Sequence, residues 1–264
     1  MTTAPPPDGI VSVFDVIVVG VDETSASREA VRQAVGLRAP GGTLHLLAVV
    51  ETARMVHAGF AASAATDKML TDVRTALEDA AATSNPTTNT MVEGRPARLL
   101  LAHLRRNHAT LLVVGCHGHA RAAGLVAGAV GTVLLREAPC PVLFARRDSW
   151  PEGHPERIVA GVDGSPESMR AVDVAQVLGE RFDARVTLVV SLGGKLRDAT
   201  AVIRQYPEAI VDERSPLEAL VAASNAADLV VVGSRGLHGL RALGSVSERV
   251  AHRAHSSVLV VRNA

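Results

Sequence analysis

Two aspartates and two pairs of glycines occupy equivalent places in the two halves of the chain. Asp22 ends the segment DVIVVGVD and Asp163 ends ERIVAGVD, and each half later carries a Gly-x-x-Gly pair after an apolar run. These pairs are Gly115 with Gly118 and Gly233 with Gly236. Glycines at such positions can turn with positive φ and let the backbone approach a ligand closely. We expect the aspartate and the glycine pair to share one binding edge in each half.

A further glycine follows each pair and marks the predicted start of a helix, at Gly128 and at Gly244. The first turn of a helix presents free N–H groups and a partial positive charge, which together favour an anion. The combination, present in both halves, indicates a phosphate or nucleotide site in at least one of them. The alternative is that the glycines only turn the chain from strand to helix.

Familiar motifs of nucleotide enzymes are absent from the sequence. No Gly-x-Gly occurs, so the dinucleotide fingerprint is missing, and Gly194-Lys195 lacks the spacing of a P-loop. No strand end carries a base, a nucleophile and an orienting group together, so we expect a protein that is not an enzyme. The alternative is a slow ATPase or phosphotransferase, with Asp22 or Asp163 as its base.

Short β-branched runs alternate with amphipathic stretches through the first half, which predicts five strand–helix steps. The predicted strands are Asp15 to Val21, Thr43 to Val50, Thr87 to Val92, Thr110 to Gly115 and Pro141 to Arg146. The predicted helices are Thr24 to Arg38, Ala65 to Ser84, Ala97 to Asn107 and Ala129 to Glu137. The second half repeats this order with a shortened second crossover, and its strands are Arg157 to Val162, Arg185 to Ser191, Ala209 to Asp212, Leu229 to Gly233 and Ser257 to Arg262.

The strands are continuous apolar runs such as VIVVGV, without the alternation of a sheet that is covered on one face only. This pattern predicts parallel strands with helices on both faces, an α/β fold. Ligands of such sheets bind beyond the carboxyl ends of the strands, where Asp22, Asp163 and both glycine pairs lie.

Composition excludes several classes of protein. The chain has 27 basic and 27 acidic residues and a formal net charge of zero, so we expect no binding to nucleic acid or to a membrane. No apolar run is long enough to span a membrane and the start lacks the features of a secretory signal, which predicts a cytoplasmic protein. Cys116 and Cys140 are predicted at opposite ends of the sheet, unable to form a disulfide. A metal site made of Cys116, His117 and His119 is disfavoured, because adjacent ligands in a glycine-rich turn rarely reach the required geometry.

The two segments VVGCHG…GAVGTVLLREAPCPVLFAR and VVGSRGLHGLRALGSVSERVAHRAHSSVLVVR resemble the C-terminal signature of universal stress proteins. The resemblance implies two doubly wound, Rossmann-like, five-stranded parallel sheets in tandem, each with strand order 3-2-1-4-5. The implied domains are residues 14–148 and 156–264, the second one shortened, with a linker at 149–155 and a disordered tail at 1–13. In the family, the last strands pair across a dimer, so the two halves are expected to pair with each other.

The resemblance also implies the site residues. The aspartate after strand one and a valine at the end of strand two would hold adenosine, and the glycine signature would hold ribose and phosphates. In the first half the implied residues are Asp22, Val49, Val114, Gly115, His117, Gly118, Gly128, Ala129, Val130 and Gly131. In the second half they are Asp163, Val190, Val232, Gly233, Arg235, Gly236, Gly244, Ser245, Val246 and Ser247.

Both halves depart from the family pattern G-x2-G-x9-G-[ST]. The first reads GAVG from Gly128 to Gly131, without a hydroxyl, whereas the second keeps Ser245 and Ser247 but has a loop shorter by two residues. The implied function is a regulatory, stress-response module that binds ATP or AMP, with Mg²⁺ held through the phosphates. A homodimer of tandem chains and a regulatory protein partner are further expectations. A nucleotide-free scaffold is the alternative if the altered loops no longer bind.

Overall fold

A computed structural model describes residues 14–51, 62–116, 129–146, 148–150, 152–193, 199–234 and 245–262. The first half contains β1 (Val16–Val21), α1 (Ser25–Leu37), β2 (Thr43–Val50), α2 (Ala62–Ser84), β3 (Thr88–Glu93), α3 (Pro96–Arg106), β4 (Leu111–Gly115), α4 (Ala129–Glu137) and β5 (Val142–Ala145). The second half contains β6 (Arg157–Val162), α5 (Pro166–Phe182), β7 (Arg185–Ser191), α6 (Ala199–Gln205), β8 (Ile210–Asp212), α7 (Pro216–Ala223), β9 (Leu229–Ser234), α8 (Val246–Arg253) and β10 (Ser257–Arg262).

The described strands form one sheet of ten strands in the order β3-β2-β1-β4-β5-β10-β9-β6-β7-β8. Within each half all neighbouring strands are parallel, so the order 3-2-1-4-5 predicted for each half is confirmed. The two halves meet at β5 and β10, which pair antiparallel with Leu143 opposite Leu259. The predicted pairing of the last strands is therefore present inside the chain, and it joins the two five-stranded sheets into one.

Helices cover both faces of this sheet, as the continuous apolar strands require. Residues of α1, α2, α5 and α6 pack on one face, in a core that includes Ile17 and Ile158. Residues of α3, α4, α7 and α8 pack on the other face, in a core that includes Val18 and Val159. Helix α6 has 7 residues where α2 has 23, which confirms the predicted short crossover in the second half.

The linker between the halves is fixed by Trp150. This side chain is completely buried, in the same core as Leu37 of the first half and Leu178 of the second. Its indole N–H donates to the carbonyl oxygen of Asp228 at 3.1 Å. The buried carboxylate of Asp228 in turn accepts from the backbone N–H of Arg157 at 2.8 Å. Trp150 thus packs between the halves.

Two arginines at the ends of the paired strands connect each half to the last helix of the other half. Arg146, only 4% exposed, donates to the carbonyl oxygens of Ala251 at 2.6 Å and Ser256 at 3.0 Å. Arg262 donates to the carbonyl oxygens of Arg136 at 2.8 Å and Ala138 at 3.1 Å. Cations at the C-terminal end of a helix also complement its dipole. Each arginine therefore stabilises the packing of the two halves.

Both cysteines are buried and free; Cys116 follows β4 and Cys140 precedes β5. Burial raises the pKa of the Cys140 thiol to about 12, so this thiol stays protonated and packs as an apolar group. Within the described ranges, no helix is long and apolar enough to cross a bilayer. The predicted tail, residues 1–13, lies outside the described residues.

Candidate functional site

Asp22 follows β1 and is held by the start of α1. Its Oδ1 atom accepts hydrogen bonds from the backbone N–H of Thr24 at 3.0 Å and from the Thr24 hydroxyl at 2.5 Å. Thr24 is the N-cap of α1, and its hydroxyl oxygen accepts from the N–H of Ser27. The Ser27 hydroxyl oxygen accepts from the N–H of Asp22 at 3.0 Å, which closes the turn. The carboxylate is exposed and has one preferred orientation.

The second half repeats this turn around Asp163. Its Oδ1 atom accepts from the N–H of Ser165 at 2.9 Å and from the Ser165 hydroxyl at 2.5 Å. Ser165 is the N-cap of α5, and the N–H of Asp163 donates to Ser168 Oγ at 3.3 Å. An aspartate, a hydroxyl residue two positions later and a serine five positions later are common to both halves. This capping signal, read at the sequence level, could have identified Thr24, Ser27, Ser165 and Ser168, which the sequence prediction missed.

Gly115 and Gly233, the first members of the glycine pairs, have a different role from the predicted one. Neither has a positive φ, so the expectation that they turn the chain with positive φ is wrong. A Cβ on Gly115 would lie 2.5 Å from the Ala26 carbonyl oxygen and 2.7 Å from the Ser27 nitrogen. A Cβ on Gly233 would lie 2.8 Å from the Ser168 nitrogen. These glycines let the end of the fourth strand of each half contact the first turn of α1 or α5, beside the aspartate.

The strand register brings the other predicted residues of the first half to the same edge. Gly20 pairs with Val114 and Val21 with Ala48, so Asp22, Val49 and Gly115 follow at the carboxyl ends of three adjacent strands. Val49 and Val114 are half-buried there.

In the second half the strand register places Ser191, and not the predicted Val190, beside Asp163. Val162 pairs with Val190 where Val21 pairs with Ala48, so Ser191 takes the position of Val49. Val190 is completely buried and belongs to the same face as Ala48. Val232, two residues before the end of β9, is also buried, at 4% exposure.

The starts of α4 and α8 follow the glycine-rich loops in sequence but differ in chemistry. The residues Ala129, Val130 and Gly131 begin α4 and offer backbone groups only. Helix α8 begins at Val246, two residues later than predicted, because Ser245 is its N-cap and accepts from the N–H of Glu248 at 3.2 Å. Ser245 Oγ lies 3.3 Å from Ser247 Oγ. The second half therefore adds two adjacent hydroxyls to the helix start.

The remaining predicted site residues lie outside the described residues. They are His117, Gly118, Gly128, Arg235, Gly236 and Gly244. Among the described residues, no group of three or more His, Cys, Asp or Glu side chains could hold a metal ion.

The resemblance implied an aspartate after the first strand and a glycine after the apolar run of the fourth, in each of two halves with strand order 3-2-1-4-5. The structure has this arrangement in both halves. The model of the universal stress protein family matches residues 14–146 and 191–262. The chain belongs to this family.

Curated relatives and solved structures agree with the assignment. Universal stress protein Rv2623 of Mycobacterium tuberculosis H37Rv is 33% identical over 186 residues, 58% of this chain and 62% of the relative. Universal stress protein Rv2005c of the same strain is 33% identical over 188 residues, 59% of this chain and 63% of the relative. The match thus spans less than two thirds of these relatives' length.

A universal stress protein of Archaeoglobus fulgidus shares the fold, with a TM-score of 0.73 at 17% identity, over 96% of this chain and 97% of the other. Protein PA1789 of Pseudomonas aeruginosa PAO1, described as functionally unknown, has a TM-score of 0.66 at 17% identity over 97% and 95%.

Proposed function

We propose that this universal stress protein is a regulatory module that binds an adenine nucleotide, with ATP as the main ligand. The observation that carries the proposal is the same arrangement at the carboxyl ends of the strands in both halves. Asp22 and Asp163 are each oriented by an N-cap hydroxyl and lie near the glycine of the adjacent strand, Gly115 of β4 or Gly233 of β9. A fixed carboxylate is suited to accept hydrogen bonds from sugar hydroxyls, because no entropy is lost in orienting it when the ligand binds.

The start of α8 supplies the anion-binding part of the proposed second site. Its N–H groups carry a partial positive charge, and the hydroxyls of Ser245 and Ser247 can each donate a hydrogen bond to a phosphate oxygen. A hydrogen bond to a charged group contributes about 1.5–3 kcal/mol. We therefore propose that the second half binds ATP more tightly than the first, where the helix start offers backbone donors only. Mg²⁺ bound through the phosphates would reduce their charge and raise the affinity.

Binding rather than catalysis is the role that fits the aspartates. In both halves the Oδ1 atom already accepts two hydrogen bonds within its own turn, and these bonds hold the carboxylate in place as an acceptor for a ligand. We propose that the protein acts through a regulatory partner. A homodimer of tandem chains would have to use another surface, because β5 and β10 already pair within the chain.

The proposal is tested by identifying the small molecules that denaturation releases from freshly purified protein. We expect AMP or ATP in the released fraction of the wild type, and much less from the variant Asp22→Ala/Asp163→Ala, which serves as the matched control. Protein that is folded, carries no nucleotide and takes up none when ATP and Mg²⁺ are added would favour the nucleotide-free scaffold.

The ranking of the two sites has its own test. Asp163→Ala should reduce ATP affinity, measured by calorimetry, more than Asp22→Ala does, because it removes the carboxylate from the site with the additional hydroxyls. A larger loss from Asp22→Ala would contradict the ranking, and equal losses would show equivalent sites.

A further inference from the structure

Glu248, in the first turn of α8, makes an unexpected contact. The sequence Ser245-Val246-Ser247-Glu248 has the pattern of a capping box, in which the glutamate carboxylate returns to the N-cap backbone N–H. Helix α7 forms this box: Glu218 Oε2 accepts from the Ser215 N–H at 3.2 Å and from the Ser215 hydroxyl at 2.6 Å. In α8 only the serine half is present, since Ser245 accepts from the Glu248 N–H.

The Glu248 carboxylate is instead paired with a residue of the other half. Arg136, in the last turn of α4, donates to Glu248 Oε1 at 2.9 Å. The glutamate side chain is 13% exposed and that of Arg136 31%, so the pair is largely removed from water. A carboxylate buried to this extent requires a partner, and the ion pair with Arg136 satisfies it.

The two possible positions of this carboxylate have opposite effects on an anion at the start of α8. In a closed capping box it would occupy the N-cap N–H and place a negative charge where a phosphate would bind. Paired with Arg136, it does not bond to the N-cap N–H and its charge is neutralised. We propose that Arg136 of the first half is a positioning residue for the second site, because it holds Glu248 out of the capping box and leaves the helix start available to phosphate.

This inference rests on the proposed nucleotide binding and adds a dependence of one half on the other. When the last helices of the two halves are aligned, Glu248 corresponds to Thr132 and Arg136 to His252. The first half has no carboxylate at this position of α4, so no side chain there could compete with a phosphate for the helix start. Control of the anion site by the opposite half is therefore specific to the second site, and His252 provides a matched control for Arg136.

The test measures ATP binding by calorimetry, with Mg²⁺ present, on the full chain carrying Asp22→Ala, so that the remaining binding reports the second site. We expect Arg136→Gln to weaken this binding about fivefold to tenfold, because Glu248 returns to the N-cap and repels phosphate. Arg136→Lys keeps the cation and should stay within about twofold of the parent. His252→Gln should leave the affinity unchanged.

A second variant separates positioning from a loss of packing. Adding Glu248→Ala to Arg136→Gln removes the competing carboxylate and should restore the affinity to within about twofold of Glu248→Ala alone. Thermal unfolding followed by circular dichroism checks that each variant is folded; the Arg136 carbonyl, which accepts from Arg262, remains in all of them.

The outcomes distinguish this inference from the function on which it rests. Unchanged affinity in Arg136→Gln, or a loss that Glu248→Ala does not reverse, overturns the inference alone. Loss of all binding in the Asp22→Ala parent also overturns it, because the bound nucleotide then belongs to the first site. A wild type that binds no ATP overturns the proposed function and, with it, the inference.

Discussion

The two halves share one end of the proposed site and differ at the other. Asp22 and Asp163 make equivalent hydrogen bonds in their turns. Gly115 contacts the first turn of α1 in the same way as Gly233 contacts the first turn of α5. At the phosphate end, one half has Val130 and Gly131, and the other has hydroxyls and an ion pair with the opposite half. The aspartate end is fixed by helix capping and close packing, which the fold itself needs. The phosphate end carries fewer such constraints, so this is where the halves can acquire different functions.

The connection between the halves shows the same mixture of symmetry and difference. Arg146 and Arg262 both bond to carbonyl oxygens of the opposite half, but Arg146 is also surrounded by a buried polar network. Ser257 donates to Gln33 Oε1 at 2.9 Å, and Gln33 donates to the Arg146 carbonyl oxygen at 3.1 Å. Arg262 has no such network among the described residues. The two arginines are equivalent in topology and unequal in burial.

The largest effect on stability should come from replacing the close-packed glycines at the aspartate end of the two sites. Gly115→Ala places a Cβ against the backbone of α1, and Gly233→Ala places one against the backbone of α5. We expect each to lower the free energy of unfolding by about 2–4 kcal/mol. Gly41→Ala is the control, because Gly41 has φ +78° but no other residue crowds the place where its Cβ would lie, and it should cost about 1 kcal/mol. Urea unfolding measures all three. Equal costs at Gly41 and Gly115 would mean that close packing is not what requires glycine at the strand end.

The two interface arginines should rank by burial. Arg146→Met leaves two buried carbonyl oxygens without donors and should cost about 2–4 kcal/mol of stability. Arg262→Met should cost less, about 1–2 kcal/mol, because its site is only half-buried and water can replace part of the lost bonding. The same urea titration gives both values. A greater loss from Arg262→Met would show that burial does not set the contribution of these residues.

The smallest effect should be a dependence of stability on pH that arises from His252. Burial lowers the pKa of His252, Arg146 and Arg136 lower it further, and Glu248 opposes them. Because the folded-state pKa lies below 6.5, the unfolded chain binds a proton that the folded chain does not, and stability falls as the pH drops below about 6.5. His252→Gln should therefore lose less stability than the wild type between about pH 7 and pH 5. His45 and His103 also have lowered pKa values through burial, so part of the acid loss should remain.

Sequence alone predicted the strands, because continuous β-branched runs are a strong signal, and the family resemblance supplied the strand order and the pairing of the last strands. The antiparallel direction of that pairing came from the structure. Sequence could not show the strand register that puts Ser191 rather than Val190 beside Asp163. An error of one residue in the register moves the predicted side chain to the other face of the sheet. The cross-half contacts of Arg146, Arg262 and Arg136 were also missed. These contacts depend on how the two halves pack, which no local pattern records.

The most direct test of nucleotide binding at the carboxyl ends of the strands is a calorimetric titration of the wild type and of Asp22→Ala/Asp163→Ala with ATP in the presence of Mg²⁺. We expect saturable binding by the wild type and at least a tenfold weaker affinity in the double variant, a difference of about 1.4 kcal/mol or more. Thermal unfolding should show that the variant is folded. Absence of ATP binding by the folded wild type, or equal affinity in the folded double variant, would contradict the proposed role of the two aspartates.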